Sequence, residues 1–311
     1  MLRIVMLVLC LVAGGVRAEP LRIAVISDLN GGYGSTKYSK SVRDGIARIV
    51  ALEPDLVIST GDMVAGQQVN PHLSADQVAA MWSAFDDAVT NPLARAGIPF
   101  VVTPGNHDAS AYRGFEGERA IFARVWGDRE PDLTFVDKAD FPFRYALSVR
   151  GVLLVSLDVT TTGALSDNQF DWLDDLLKRQ SSRHKAVVLF SHLPLWPFAE
   201  KRRDDVIGDP KLHELLVRHG VDLYLSGHHH AYYPGVVDDI LMVSQSCLGS
   251  GPRALIGANR PSPKAFSLVE IAGDGSIEET AYQSPDFLTP VELDDLPRSI
   301  GRLVRKDLVG K

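Results

Sequence analysis

The chain has 311 residues, 32 Lys and Arg against 39 Asp and Glu for a formal net charge of −7, 45% hydrophobic residues and two cysteines. It is too apolar for a disordered chain, too poor in cysteine for a disulfide scaffold, and without the basic excess that grips nucleic-acid phosphates. A length near 300 accommodates one large domain or two small ones, either with a substantial core.

The first eighteen residues stand apart. Arg3 supplies a positive start, Ile4–Val12 is an unbroken apolar run, and Val16 and Ala18 are small residues three and one positions before Glu19. This reads as a secretory signal peptide over residues 1–18, cleaved after Ala18. A spanning helix needs about 20 apolar residues, roughly twice this run. Leu9 stands before Cys10 where a lipoprotein signal would place a small residue, which argues against lipidation. Cleavage removes Arg3, Arg17 and Cys10, so residues 19–311 carry 30 basic and 39 acidic side chains, a net charge of −9, and one cysteine. That cysteine, Cys247, reads as a small buried hydrophobe near a strand end. No later apolar stretch is long enough to span a bilayer, so the mature protein is expected to be soluble and periplasmic or secreted.

Leu21–Ser27 is a β-rich run that ends at Asp28, and the turn-rich stretch Leu29–Thr36 follows it. Val42, Ile46, Ile49 and Val50 recur at helical spacing, and Leu56–Ser59 is a second strand, ending at Gly61–Asp62. Ser74–Ala96 reads as helix, Pro99–Thr103 as a strand ending at Gly105–Asn106–His107–Asp108, and Gly114–Trp126 as helix. Phe143–Val149 and Val152–Leu157 resemble a hairpin turned at Arg150–Gly151, and a helix carrying Phe170, Leu173, Leu176 and Leu177 follows. Ala186–Phe190 ends at Ser191–His192, and Leu223–Leu225 ends at Gly227–His230. Ile240–Ser244, Phe266–Ile271 and Ser276–Tyr282 read as antiparallel strands, and the basic tail Arg298–Lys311 as a solvated helix or frayed terminus. Strand–helix alternation argues for an α/β domain with parallel crossover units. No repeat or long linker divides the chain, so residues 19–311 read as a single domain with a C-terminal tail from about residue 288.

Asp28, Asp62, Asn106, His192 and His228 each sit just beyond a separate strand, and open α/β sheets gather such residues at one rim. Carboxylate, amide and imidazole without thiolate suit Mn, Fe or Zn ions. A carboxylate can bridge two of them, the arrangement that clamps the attacking and leaving oxygens of displacement at phosphorus. Gly31–Gly32–Tyr33–Gly34–Ser35–Thr36 lacks the Gly-Lys-Ser/Thr of a nucleotide loop and reads as a rim turn.

The ordered series Asp28, Gly61–Asp62, Gly105–Asn106–His107–Asp108, His192 and Gly227–His228–His229–His230 resembles the calcineurin-like metallophosphoesterase superfamily over roughly residues 21–232. The resemblance implies a four-layer αββα sandwich of two mixed β-sheets flanked by helices. It also implies an enzyme that hydrolyses phosphate mono- or diesters through a hydroxide bridging two divalent or mixed-valence metal ions. By the same resemblance Asp28, Asp62 and His230 hold the first metal, Asp62 bridges, and Asn106, His192 and His228 complete the second. His107 matches the histidine that assists the leaving oxygen.

One position departs from the pattern: Asn30 stands where the family usually places a first-metal imidazole. Asn30 ligating through its carbonyl is the favoured reading; the alternatives are Tyr33 entering the shell, or an empty first site in a degenerate mononuclear or non-catalytic anion-binding protein. The Gly-Asp-x-x-Tyr signature of purple acid phosphatases is absent, since the chain reads Gly61–Asp62–Met63–Val64–Ala65. Asp108 and Asp158 are candidates to support the ligands, and Arg113 and Arg253 to hold phosphate oxygens. His229 is expected to point away from its neighbours, and His72, His184, His213 and His219 read as surface or cap residues. A nuclease is disfavoured by the acidic charge. The partner is therefore a phosphate-ester substrate with no nucleic acid; oligomeric state is left open.

Overall fold

Alternate residues of β1 (Leu21–Ile26) face two different cores, and this sets the layering. Leu21, Ile23 and Val25 join a core shared with a second sheet, whereas Ala24 and Ile26 pack with helices on the other side. The computed structural model describes residues 19–310, so the signal-peptide reading lies outside the described residues. β1 is followed by α1 (Lys40–Leu52), β2 (Leu56–Ser59) and α2 (Ala75–Phe85), which runs through a π-helical turn at Asp86–Thr90 into α3 (Asn91–Arg95). Next come β3 (Phe100–Val102), α4 (Asn106–Ala109), α5 (Glu116–Gly127), β4 (Thr134–Asp140), β5 (Arg144–Val149), β6 (Val152–Ser156), α6 (Asp167–Gln180) and β7 (Ala186–Ser191). The chain continues through α7 (Pro210–Arg218), β8 (Leu223–Ser226), β9 (Tyr233–Val237), β10 (Ile240–Ser244), β11 (Ala265–Ile271) and β12 (Ile277–Gln283). It closes with β13 (Thr289–Pro290), β14 (Ser299–Ile300) and β15 (Leu303–Arg305).

The first sheet has the order β13-β12-β11-β1-β2-β3 and the second β14-β15-β9-β10-β8-β7-β6-β5-β4. β1, β2 and β3 are mutually parallel, as are β6, β7, β8 and β10, and the outer strands are antiparallel. Helices α1, α2 and α5 cover the first sheet, and α6 and α7 contribute Leu173, Leu176, Leu177, Leu212, Leu215 and Leu216 to the core of the second. The expected αββα sandwich of two mixed sheets is therefore the observed fold.

Local chemistry explains the element boundaries. Ser39 caps α1 by accepting from the Val42 N–H at 3.3 Å, and Val42, Ile46 and Ile49 form its buried stripe. Ser74 and Gln77 make a reciprocal capping box at the start of α2. Arg150 and Gly151 are both left-handed, φ 47° and 78°, the twist that a two-residue hairpin turn between β5 and β6 requires.

The segment 74–96 is helical as expected, with a π-turn at Asp86–Thr90 between α2 and α3 and αR backbone at both junctions. Two readings need correction. The basic tail is neither helical nor frayed at its centre: β15 pairs with β9 at the edge of the second sheet, and the Arg305 side chain is buried. His213 is no surface residue, being buried with Nε2 at 2.8 Å from Asp238. Among the described residues no helix is long and apolar enough to cross a membrane.

Candidate metal centre

Parallel pairing aligns the carboxyl ends of β1, β2 and β3 in one sheet and β7 and β8 in the other, and the candidate ligands leave from those ends. The two sheets meet closely there: a Cβ on Gly227, beyond β8, would stand 2.1 Å from Ser27 Oγ, beyond β1. Within the first sheet the turns are as tight, a Cβ on Gly105 standing 2.0 Å from the Asp62 backbone nitrogen. Asp28, Asp62, His228 and His230 all adopt left-handed φ, between 52° and 65°. Four non-glycine residues in this sparsely allowed region are held by their surroundings at a cost of about 1 kcal/mol or more each.

Two donor groups result. Asp28, Asp62 and His230 form the first, Asp62, His192 and His228 the second, with ligand atoms in each within 4.8 Å of one another and Asp62 common to both. Asn106 joins the second, its Oδ1 lying 2.9 Å from His192 Nε2. Its amide is oriented by Nδ2 donating to Gln67 Oε1 at 2.7 Å, which leaves the carbonyl oxygen facing the imidazoles.

The tautomers follow from the carbonyls behind each ring. His192 Nδ1 donates to Thr60 O at 2.8 Å and His230 Nδ1 donates to Gly251 O at 2.9 Å, so both present an Nε2 lone pair to the site. His192 Nε2 faces His228 Nδ1 at 3.2 Å. Asp28 Oδ1 is buried 2.9 Å from His230 Nε2 yet accepts no hydrogen bond. Lone pairs converging on lone pairs, beside an orphaned carboxylate oxygen, fit a cation between them, and the O and N donor set fits Mn, Fe or Zn.

Electrostatics agree. Burial alone would discharge His192, but Asp62 and Asp28 outweigh it and push its pKa up to about 9. Asp62 and Asp28 are held below the ordinary carboxylate range despite burial, Asp62 chiefly by His192 and His107 and Asp28 chiefly by His230. The field thus favours positive charge at this rim.

His107 lies beside the groups rather than in them. Its Nδ1 donates to Gly66 O at 2.8 Å, its backbone N–H donates to Asp62 Oδ1 at 2.8 Å, and Nε2 stands 3.9 Å from Asp62 Oδ2. Asp108 is buried and supports the turn, accepting from Met63, Val64 and Gly105 N–H groups at 2.8–2.9 Å. Burial and then the Asp62 charge push its pKa up to about 7.

Other predicted positions divide. Asn30 is buried, its backbone N–H donating to Asp62 O at 3.2 Å and its Oδ1 and backbone carbonyl both accepting from the Ser250 hydroxyl. Tyr33 is exposed, its ring 5.5 Å from that of His107. Arg253 donates to His228 O at 2.6 Å and so holds the ligand loop. Asp158 is taken up by Arg119 instead of supporting a ligand, and Arg113 is exposed beside Glu116. His229 points away, as expected: Nδ1 accepts from Phe198 N–H at 3.1 Å and Nε2 donates to Asp205 O at 3.0 Å. Sequence reasoning missed Gln67, Thr60, Gly66 and Gly251. The last three act through backbone carbonyls, which carry no side-chain signature, and Gln67 is marked only by its place after Gly66 in the loop beyond Asp62.

A two-sheet sandwich with carboxylate, amide and imidazole donors gathered at the shared strand ends defines the metallophosphoesterase class. The chain matches the calcineurin-like phosphoesterase family over residues 21–232 and belongs to it. It is 28% identical over 202 residues to the serine/threonine-protein phosphatase CPPED1 of Mus musculus, covering 58% of this chain and 60% of that protein. It is 28% identical over 221 residues to purple acid phosphatase 18 of Arabidopsis thaliana, covering 68% of this chain and 44% of that one. The chain therefore spans about 60% or less of these relatives' lengths. Its fold is shared with the structure of purple acid phosphatase PPD1 from yellow lupin, at 16% identity and a TM-score of 0.63 over 85% of this chain and 51% of that one.

Proposed function

We propose that this chain is an exported, metal-dependent phosphoesterase that hydrolyses phosphate mono- or diesters, with Asp28, Asn30, Asp62, Asn106, His192, His228 and His230 as metal ligands. The observation that carries the reading is Asp62 shared between two groups whose nitrogen lone pairs and orphaned Asp28 oxygen all face inward. Two bound dications would supply Lewis acidity at phosphorus and water ionised near neutral pH. The chain's own residues do the rest. Asp62 positions the second and first donor groups about one point, and Gly105, fixed by Asp108, brings the His107 backbone N–H onto Asp62. His107, anchored through Nδ1, keeps Nε2 open toward the site, where a proton on it can pass to the departing alcohol oxygen.

The test is release of product from an aryl phosphate monoester and an aryl diester by protein loaded in turn with Mn²⁺, Fe²⁺ and Zn²⁺. Cleavage of either supports the reading, and cleavage of neither with any metal overturns it. A second reading, a mononuclear anion-binding protein, is favoured by the engagement of Asn30 Oδ1 with Ser250, which competes with ligation. It predicts at most one bound metal and no turnover. Export is checked by N-terminal sequencing of protein recovered from the extracytoplasmic fraction, where Glu19 should be the first residue.

A further inference from the structure

We propose that the pocket beside the second donor group is a subsite for an uncharged, hydroxylated organic group, making the substrate a small polyol or sugar phosphate. This rests on the phosphoesterase reading. The pocket is about 190 Å³ and has Asn106 and His228 in its lining, so whatever fills it abuts the donor cluster; Tyr112, Thr162, Arg202 and Asp205 form much of the remainder. At roughly 30 Å³ per water it holds about six waters, the space of a small polyol and far less than a peptide requires.

Its chemistry is that of a hydroxyl-binding site. Arg202 Nη1 donates to Asp205 Oδ2 at 2.5 Å, so the wall carries one positive and one negative charge already opposed, and a second anionic group on the substrate gains little there. A carboxylate and a guanidinium side by side instead accept from and donate to neighbouring hydroxyls of one ligand. Also in the lining, Tyr112 OH and Thr162 Oγ1 approach at only 3.3 Å, and Tyr112 OH also takes the Thr162 N–H at 3.4 Å. These long contacts join two loops while leaving hydrogen-bonding capacity for a ligand. Tyr112 is 47% exposed, so its ring offers a flat apolar face to the C–H surface of a sugar. Leu193 is the one aliphatic lining residue, too little to build a slot for an aryl group.

The experiment compares kcat/KM for glucose 6-phosphate, phenyl phosphate and a phosphoserine peptide in the metal-loaded wild type and in the Tyr112→Ala and Thr162→Val variants. Both substitutions lie on exposed loops, and unchanged melting temperatures confirm folding. The expected result is a loss on glucose 6-phosphate at least tenfold greater than on phenyl phosphate in each variant. Equal losses on the two, or the greatest loss on the peptide, overturn the subsite while leaving the phosphoesterase reading standing. Hydrolysis of none of the three monoesters by the wild type with any metal overturns the subsite, and the phosphoesterase reading falls with it only where the aryl diester is also left intact.

Discussion

Asp62 is the residue on which both donor groups depend, and His107 stands beside it, Nε2 3.9 Å from Asp62 Oδ2, without belonging to either. Their roles separate experimentally. Replacing His107 with Ala should lower turnover about a hundredfold or more while leaving metal content unchanged, because general acid assistance is lost and no donor is. Activity and metal falling together would contradict that role. His229 makes a different prediction. Burial first and then the His228 charge push its pKa down to about 3, and its two ring nitrogens are already committed as acceptor and donor. The unfolded chain takes up a proton near pH 6.5 and the folded one does not until about 3, so stability falls as pH drops through that interval. Between pH 7 and 5 the metal-free protein should lose about 2 kcal/mol from this group, read by urea unfolding, and a His229→Gln variant should lose correspondingly less. The candidate donors were legible because each ends a strand-like run. The layer behind them was not, because Thr60, Gly66 and Gly251 act through carbonyls that any residue has.

At the scale of elements, turns and edges carry the information that periodicity does not. The Gly-Asn-His-Asp segment reads as a strand end, but it opens the four-residue helix α4, and Asp108 ties that helix to the Asp62 turn. Gly105→Ala would drive a Cβ against backbone that cannot yield, costing about 3 kcal/mol and displacing Asp62; thermal unfolding and metal affinity should both fall. The central parallel strands were readable as short apolar runs. β4 was not, being a largely exposed edge strand with three charged residues, and β9 was not, because Pro234 and Gly235 interrupt its pattern. The C-terminal hairpin was concealed by its charge. Arg305 is buried with Nε at 2.6 Å from Asp307 Oδ1, Nη2 at 2.9 Å from Asp294 Oδ1 and Nη1 on the carbonyls of Leu293 and Leu296. Arg305→Ala should cost about 2–3 kcal/mol in urea unfolding and increase proteolysis after residue 288, and an unchanged midpoint would mean that the hairpin docks without it.

Over the whole molecule, an acidic chain presents a site of opposite preference. The surplus of carboxylates repels anions at long range, yet at the rim the buried Asp62 and Asp28 carboxylates favour positive charge, which shows in the His192 pKa pushed up to about 9 when no cation stands between them. Two dications would place four positive charges where phosphate must sit. The sandwich supplies this by bringing the ends of two sheets together, so residues 200 positions apart, Asp28 and His228, come into hydrogen-bond contact. Such proximity was inferable only from the order of motifs, since no local pattern encodes it. The most direct measurement is elemental analysis of the purified protein beside its Asp62→Asn variant. Near two equivalents of Mn, Fe or Zn per chain, falling to one or fewer in the variant, is the result predicted. Absence of bound metal in the wild type, or two equivalents retained without the Asp62 carboxylate, would contradict a shared dimetal centre.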